Sequence, residues 1–196
     1  MRRRFLAFVL LFVAATATPA QSSLNVIPTA DVLSHRSAQR FYEVSGYERS
    51  TDKGIYHASG LLFGVGDRAE LGFDSDFMGG TAWNAKLVVY DHERGAYAIG
   101  VSDWQSGAMT KYAVGLIDFD RVRAHIGFMN DGADRPIFGL DATTGPVTWM
   151  LDHVGGPGAT TWGGVSLELG TEFSVSLGRT LPASEWYATF YWTSRY

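Results

Sequence analysis

The chain contains no cysteine, which excludes disulfide bonds and thiolate metal sites. It is short of basic charge. Without Arg2, Arg3 and Arg4 it keeps 13 basic residues against 20 acidic ones, a charge of −7, so the basic footprint of a nucleic-acid-binding surface is missing. Beyond residue 20 no apolar run approaches the roughly 20 residues of a spanning helix, and no sustained helical period is present. There is no His-x-Glu or paired-His spacing of the zinc-binding kind. Asp118 and Asp120 flank Phe119 in a short turn with too few oxygen ligands for a calcium loop. No cofactor and no metal are therefore expected.

What is present begins with a leader. Three arginines in Met1–Arg4 precede the apolar stretch Phe5–Ala15, and Thr18-Pro19-Ala20 supplies small residues where a signal peptidase cuts. This order predicts a secretory signal over residues 1–20, with Gln21 or a near neighbour as the mature start. A secreted domain without disulfides or spanning helices needs a large sheet or a membrane, and the membrane option narrows to β-structure. Residues 21–37 carry the apolar Val26-Ile27-Pro28 and read either as a plug in the lumen of a barrel or as a periplasmic tail.

From residue 38 onward, alternation of apolar and polar residues is broken by turn signals. Gly66-Asp67, Gly79-Gly80, Arg94-Gly95, Ser106-Gly107, Asp118–Arg121, Asp131-Gly132, Gly145-Pro146, Gly155–Gly158, Gly170-Thr171 and Pro182-Ala183 are such breaks, with one more near Ser50–Lys53. They divide residues 38–196 into about twelve strands of membrane-spanning length. The expected fold is all-β, a closed antiparallel up-and-down transmembrane barrel. With both termini periplasmic, the even turns are short and most odd turns longer, as in outer-membrane barrels.

The two parities differ in chemistry. One holds Leu71, Phe73, Trp83, Leu87, Ile99, Tyr112, Val114, Leu116, Ile126, Phe128, Trp149, Leu167, Leu177, Phe190 and Trp192 with no charge, which suits a lipid face. Aromatics near strand ends, including Tyr90, Trp104, Trp149, Trp162 and Trp186, suit interfacial girdles. The other parity assigns His57, Glu70, Asp74, Asp76, Lys86, Lys111, Arg123, Asp141, Asp152 and Glu168 to the lumen. Inward glycines (Gly72, Gly115, Gly127, Gly139, Gly178) either widen that lumen or let another segment approach closely. A soluble sandwich has the same alternation, but so many aromatic strands overfill a core about 10 Å thick.

The terminus Trp192-Thr193-Ser194-Arg195-Tyr196 resembles the C-terminal strand signal read by the outer-membrane barrel-assembly machinery, departing from it at Ser194. The stretch Leu24–Leu33 resembles the opening of YjbH-type outer-membrane proteins, which are linked to exopolysaccharide production. Together these resemblances imply an outer-membrane protein in contact with lipid and lipopolysaccharide. His57-Ala58-Ser59 resembles the His-x-Ser pattern of outer-membrane lipid A deacylases, in which the pair faces lipid. Pairing across Gly66-Asp67 sets His57 opposite Asp76 and Ser59 opposite Asp74, all on the inward parity, where a polar lumen network accounts for them better than catalysis. The expectation is a non-enzymatic protein. A narrow channel for small polar solutes or saccharides leads. A closed structural or accessory envelope protein, tied to surface polysaccharide export, is the alternative.

Overall fold

The structure, a computed structural model, describes residues 23–24, 26–47, 54–77, 80–105, 107–181 and 185–196; the leader lies outside them. Twelve antiparallel strands run β1 (Ser37–Tyr47), β2 (Tyr56–Val65), β3 (Ala69–Ser75), β4 (Thr81–His92), β5 (Gly95–Gln105), β6 (Ala108–Asp118), β7 (Val122–Asn130), β8 (Asp134–Thr144), β9 (Val147–Val154), β10 (Thr160–Glu168), β11 (Phe173–Thr180) and β12 (Glu185–Arg195). Each pairs with its sequence neighbours, and β1 closes on β12 from Ser37↔Arg195 to Tyr47↔Glu185. The connections between strands fall where the sequence breaks are. At the β2–β3 turn, Gly66 and Asp67 have φ of 62° and 57°, the left-handed pair that a tight hairpin uses. Both ends of the barrel sequence lie at one rim, here the terminal rim; the odd-numbered turns form the far rim.

Closure decides where every side chain goes, because residues paired across strands share a face and neighbours along a strand do not. Leu71, Leu87, Ile126, Phe128, Trp149, Leu167 and Leu177 stand exposed on the outside, a continuous apolar surface that the hydrocarbon of a bilayer covers. Phe73 and Trp83 pair across β3 and β4 on that face, ring centroids 5.6 Å apart.

Two strands, β2 and β6, reverse the expected parity. The β2–β3 connection holds three residues rather than two, so Val65 pairs with Ala69 and Gly64, not Phe63, meets Glu70. That one-residue difference turns His57, Ser59 and Phe63 outward. Between β5 and β6 the register slips from Ser102 to Gln105, around Asp103 with its φ of 54°. A bulge of this kind flips the strand beyond it. Ala98 then pairs with Val114 inside and Val101 with Lys111 outside. Tyr112, Val114 and Leu116 therefore face the lumen, while Lys111 and Gly115 face lipid. Trp162, expected in the girdle, pairs with buried Asp152 and Thr180 and points inward.

The inward apolar side chains have a partner. Residues before β1 enter the lumen as a small hairpin, with a Ser23↔Pro28 bridge and the Leu24 N–H donating to the Ile27 carbonyl at 3.0 Å. Leu24, Ile27 and Ala30 are buried against Val88, Ala98, Val114, Ile137 and Met150, so the core of this protein lies inside the barrel. Two glycines make room for the segment. A Cβ on Gly64 would stand 2.1 Å from the Ser34 carbonyl oxygen and 2.4 Å from that of Leu33. One on Gly139 would meet Leu24 and Ile27 side chains at 2.4 and 2.7 Å. Full burial of Ile27 and Leu33 contributes roughly 1.5–3 kcal/mol each.

Leu87→Arg, on the outer face of β4, should lower stability in vesicles by roughly 2–4 kcal/mol if it sits near mid-bilayer, while Lys111→Ala, outward beside the far rim, should change it by less than about 1 kcal/mol. Denaturant unfolding in lipid vesicles measures both. Gly64→Ala, forced against backbone carbonyls, should unseat residues 33–34 and lower the melting temperature; Gly54→Ala, with open space around it, should leave it unchanged.

Candidate functional site

Charged side chains of the wall meet the hairpin at three levels, beside its apolar packing. At its tip the Val26 and Ile27 N–H groups both donate to one carboxylate oxygen of Asp152, at 2.8 and 3.1 Å. Near its middle Arg123 bridges two acids. Its Nη1 lies 3.0 Å from Asp31 on the hairpin, and its Nη2 2.9 Å from Asp141 on the neighbouring strand. At its base the Leu33 N–H donates to Glu70, whose other oxygen lies 3.6 Å from the Lys86 ammonium. The His35 N–H donates to Asp67 just outside.

His125 extends the middle level, its Nε2 2.8 Å from the second oxygen of Asp141, while its Nδ1 is buried with no hydrogen-bond partner.

The hairpin leaves space on either side. Toward the terminal rim is a cavity of about 330 Å³, lined by Leu24, Asp31, Arg121, Arg123, Thr148, Ser166, Glu168 and Tyr191 among others. Toward the far rim is a second cavity of about 330 Å³, lined by Val26, Glu43, Ser45, Tyr56, Trp162, Glu185 and Tyr187 among others. Leu24 and Val26, near neighbours at the tip, thus belong to different compartments. Between them the wall is lined by hydroxyls, with Ser176 bonded to Ser166 at 3.0 Å and Thr189 to Glu43 at 2.9 Å.

Of the residues assigned to the lumen from sequence, Glu70, Asp74, Lys86, Arg123, Asp141, Asp152 and Glu168 face inward. Asp74 accepts from the Asn84 amide at 2.7 Å. Asp76 lies exposed past the end of β3 rather than on the wall. His57 and Lys111 are corrections: both face outward, for the register reasons above. Sequence reasoning missed Asp31, Glu43, Trp162 and Tyr187. A signal for a lumen segment was present: Val88, Ala98, Ile137 and Met150 are apolar residues on an otherwise polar parity.

The His57–Ser59 pair does not assemble with the acids expected opposite it. Both residues face outward, as the deacylase resemblance would require, but Asp74 faces the lumen across the sheet. His57 Nδ1 instead bonds the Tyr42 hydroxyl at 2.7 Å, the two rings stacked 5.9 Å apart.

No family model matches this chain, and no curated protein matches it. The YjbH likeness of residues 24–33 therefore has no counterpart there, and their place in the structure is accounted for by packing within the lumen. Solved structures do match. A KdgM porin aligns over 79% of this chain and 98% of its own, with a TM-score of 0.60 and 14% identity. A KdgM porin in complex with disordered oligogalacturonate aligns over 80% and 98%, with a TM-score of 0.55 and 14% identity. The chain is similar to these porins in fold, a closed twelve-stranded antiparallel transmembrane barrel.

Proposed function

We propose that this protein is an outer-membrane channel for small polar solutes or saccharides, with the N-terminal hairpin occupying its lumen at rest. The observation that carries this reading is the arrangement of two cavities, each lined by acidic side chains, with the hairpin tip between them. Among the described residues the hairpin's β-bridge is its own, Ser23↔Pro28, and no ladder joins it to the barrel. A segment held by side chains can be released without unzipping the wall, whereas one paired into the sheet cannot. The fold shared with the KdgM porins supports the same reading.

The orientation belongs to the proposal. The far-rim connections include the longest, residues 48–55, 76–80 and 155–159, and the terminal-rim turns are short, so the far rim faces outward and both termini the periplasm. In that orientation Lys111 points from the lipid face at the outer rim toward the phosphate level of lipopolysaccharide, a length that a lysine stem spans by snorkelling. Delivery requires removal of residues 1–20 and recognition of β12, ending at Tyr196, by the barrel-assembly machinery.

Arg123 is the group to remove. Without it Asp31 and Asp141 face each other uncompensated, and breaking a largely buried ion pair by deleting one partner costs roughly 3–5 kcal/mol. Planar-bilayer recordings should show small or rare openings for the native chain. Arg123→Ala should open more often, and a chain lacking residues 22–34 should show a severalfold larger step. A deleted chain that inserts and resists heat yet conducts nothing would mean that the barrel is closed without its hairpin, and the channel reading would be wrong.

A further inference from the structure

Both cavities are lined by an excess of acids, but they differ in whether bases stand among them, and this bears on what enters. The terminal-side cavity contains Arg121 and Arg123 beside its acids. The far-rim cavity is lined by Glu43 and Glu185, and among the described residues no lysine, arginine or histidine lines it. Asp74 faces inward at the same level two strands from Glu43. Arg135 on β8, an inward base near that rim, is already held, with its Nε 3.0 Å from Asp131 and its Nη1 donating to the Pro157 carbonyl.

The same cavity has an aromatic wall. Trp162 and Tyr187 point inward from β10 and β12 with ring centroids 5.7 Å apart and planes inclined at 51°. Tyr187 is fixed in place because the inward position beside it is Gly178, where a Cβ would stand 2.3 Å from the ring. Tyr56 and Ser45 complete the side toward β1 and β2, and Val26 of the hairpin forms the floor. An indole face is a flat apolar surface, and carboxylates accept hydrogen bonds without donating any. A pyranose unit offers the complement: an apolar C–H face and a ring of hydroxyl donors.

We propose that this far-rim cavity is the entry subsite of the channel, and that it takes uncharged saccharide units while repelling uronates. The subsite rests on the channel reading for its role, but its binding is measurable without transport. Trp162 stacks against the sugar ring, with buried Tyr187 packed beside it as support. Glu43 and Glu185 accept from its hydroxyls, and with Asp74 they set a negative potential that an anionic sugar meets first.

The test is calorimetric titration of the detergent-solubilised full chain with maltotriose and, separately, with trigalacturonate at low salt. Maltotriose should bind and trigalacturonate should not. Trp162→Ala should weaken maltotriose binding about fivefold or more, while Trp162→Phe, which keeps a ring, should retain most of it. Glu43→Gln combined with Glu185→Gln should admit trigalacturonate. Tighter binding of trigalacturonate than maltotriose by the native chain would overturn the proposal, as would equal maltotriose binding by Trp162→Ala in a barrel that still shifts on heating. Maltotriose binding by a protein that never conducts would keep the subsite and remove the channel.

Discussion

Every side chain on a closed antiparallel barrel faces either the surrounding hydrocarbon or the enclosed space, and each strand's register is fixed by two neighbours at once. That constraint organises the rest of this structure. An outer face with Ile126, Phe128 and Leu177 exposed commits the opposite parity to the lumen, and the lumen of twelve strands is larger than its own side chains fill. The space is taken by chain. Leu24, Ile27 and Ala30 complete a core whose other half is Val88, Ala98, Val114, Ile137 and Met150.

The polar groups of the lumen are a consequence of the same filling. A hairpin inserted away from any strand brings N–H groups with no ladder to satisfy them, and unpaired buried donors are costly. Asp152 and Glu70 accept those N–H groups, while Arg123 ties Asp31 to Asp141. These contacts are charge-assisted and discrete, in contrast with the eleven register pairs that join β1 to β12. Apolar packing holds the segment in place, and a few ionic contacts set its register. Such an attachment has a small number of points at which it can be broken, which suits an occupant that moves.

Much of this was legible in the sequence. Glycines and aspartates marked most turns because tight hairpins need left-handed backbone, as at Gly66 and Asp67. The parity of β3, β4, β7, β8 and β9 came from alternation alone. Two faces were misread because a single residue decides them: one extra residue in the β2–β3 turn and a bulge at Asp103 leave no mark in the apolar pattern. Lys111 shows why charge is a poor guide there. Near a rim a lysine is tolerated on the lipid side, so its presence did not identify the lumen. The hairpin was legible only as one of two possibilities, since its apolar residues are few and their partners are spread over β4, β5, β6, β8 and β9.

Leu24 and residues 26–33 sit inside the barrel, and because the chain has no native cysteine a single introduced one can report on that placement. Ile27, fully buried, and His35, exposed at the terminal rim, can each be replaced by a single cysteine and treated with a membrane-impermeant maleimide in the folded, membrane-inserted protein. Labelling is then repeated after boiling in detergent. His35→Cys should label readily before boiling whenever its rim is accessible, while Ile27→Cys should label only afterwards. Ile27→Cys labelling as fast as His35→Cys in the folded barrel would contradict that placement.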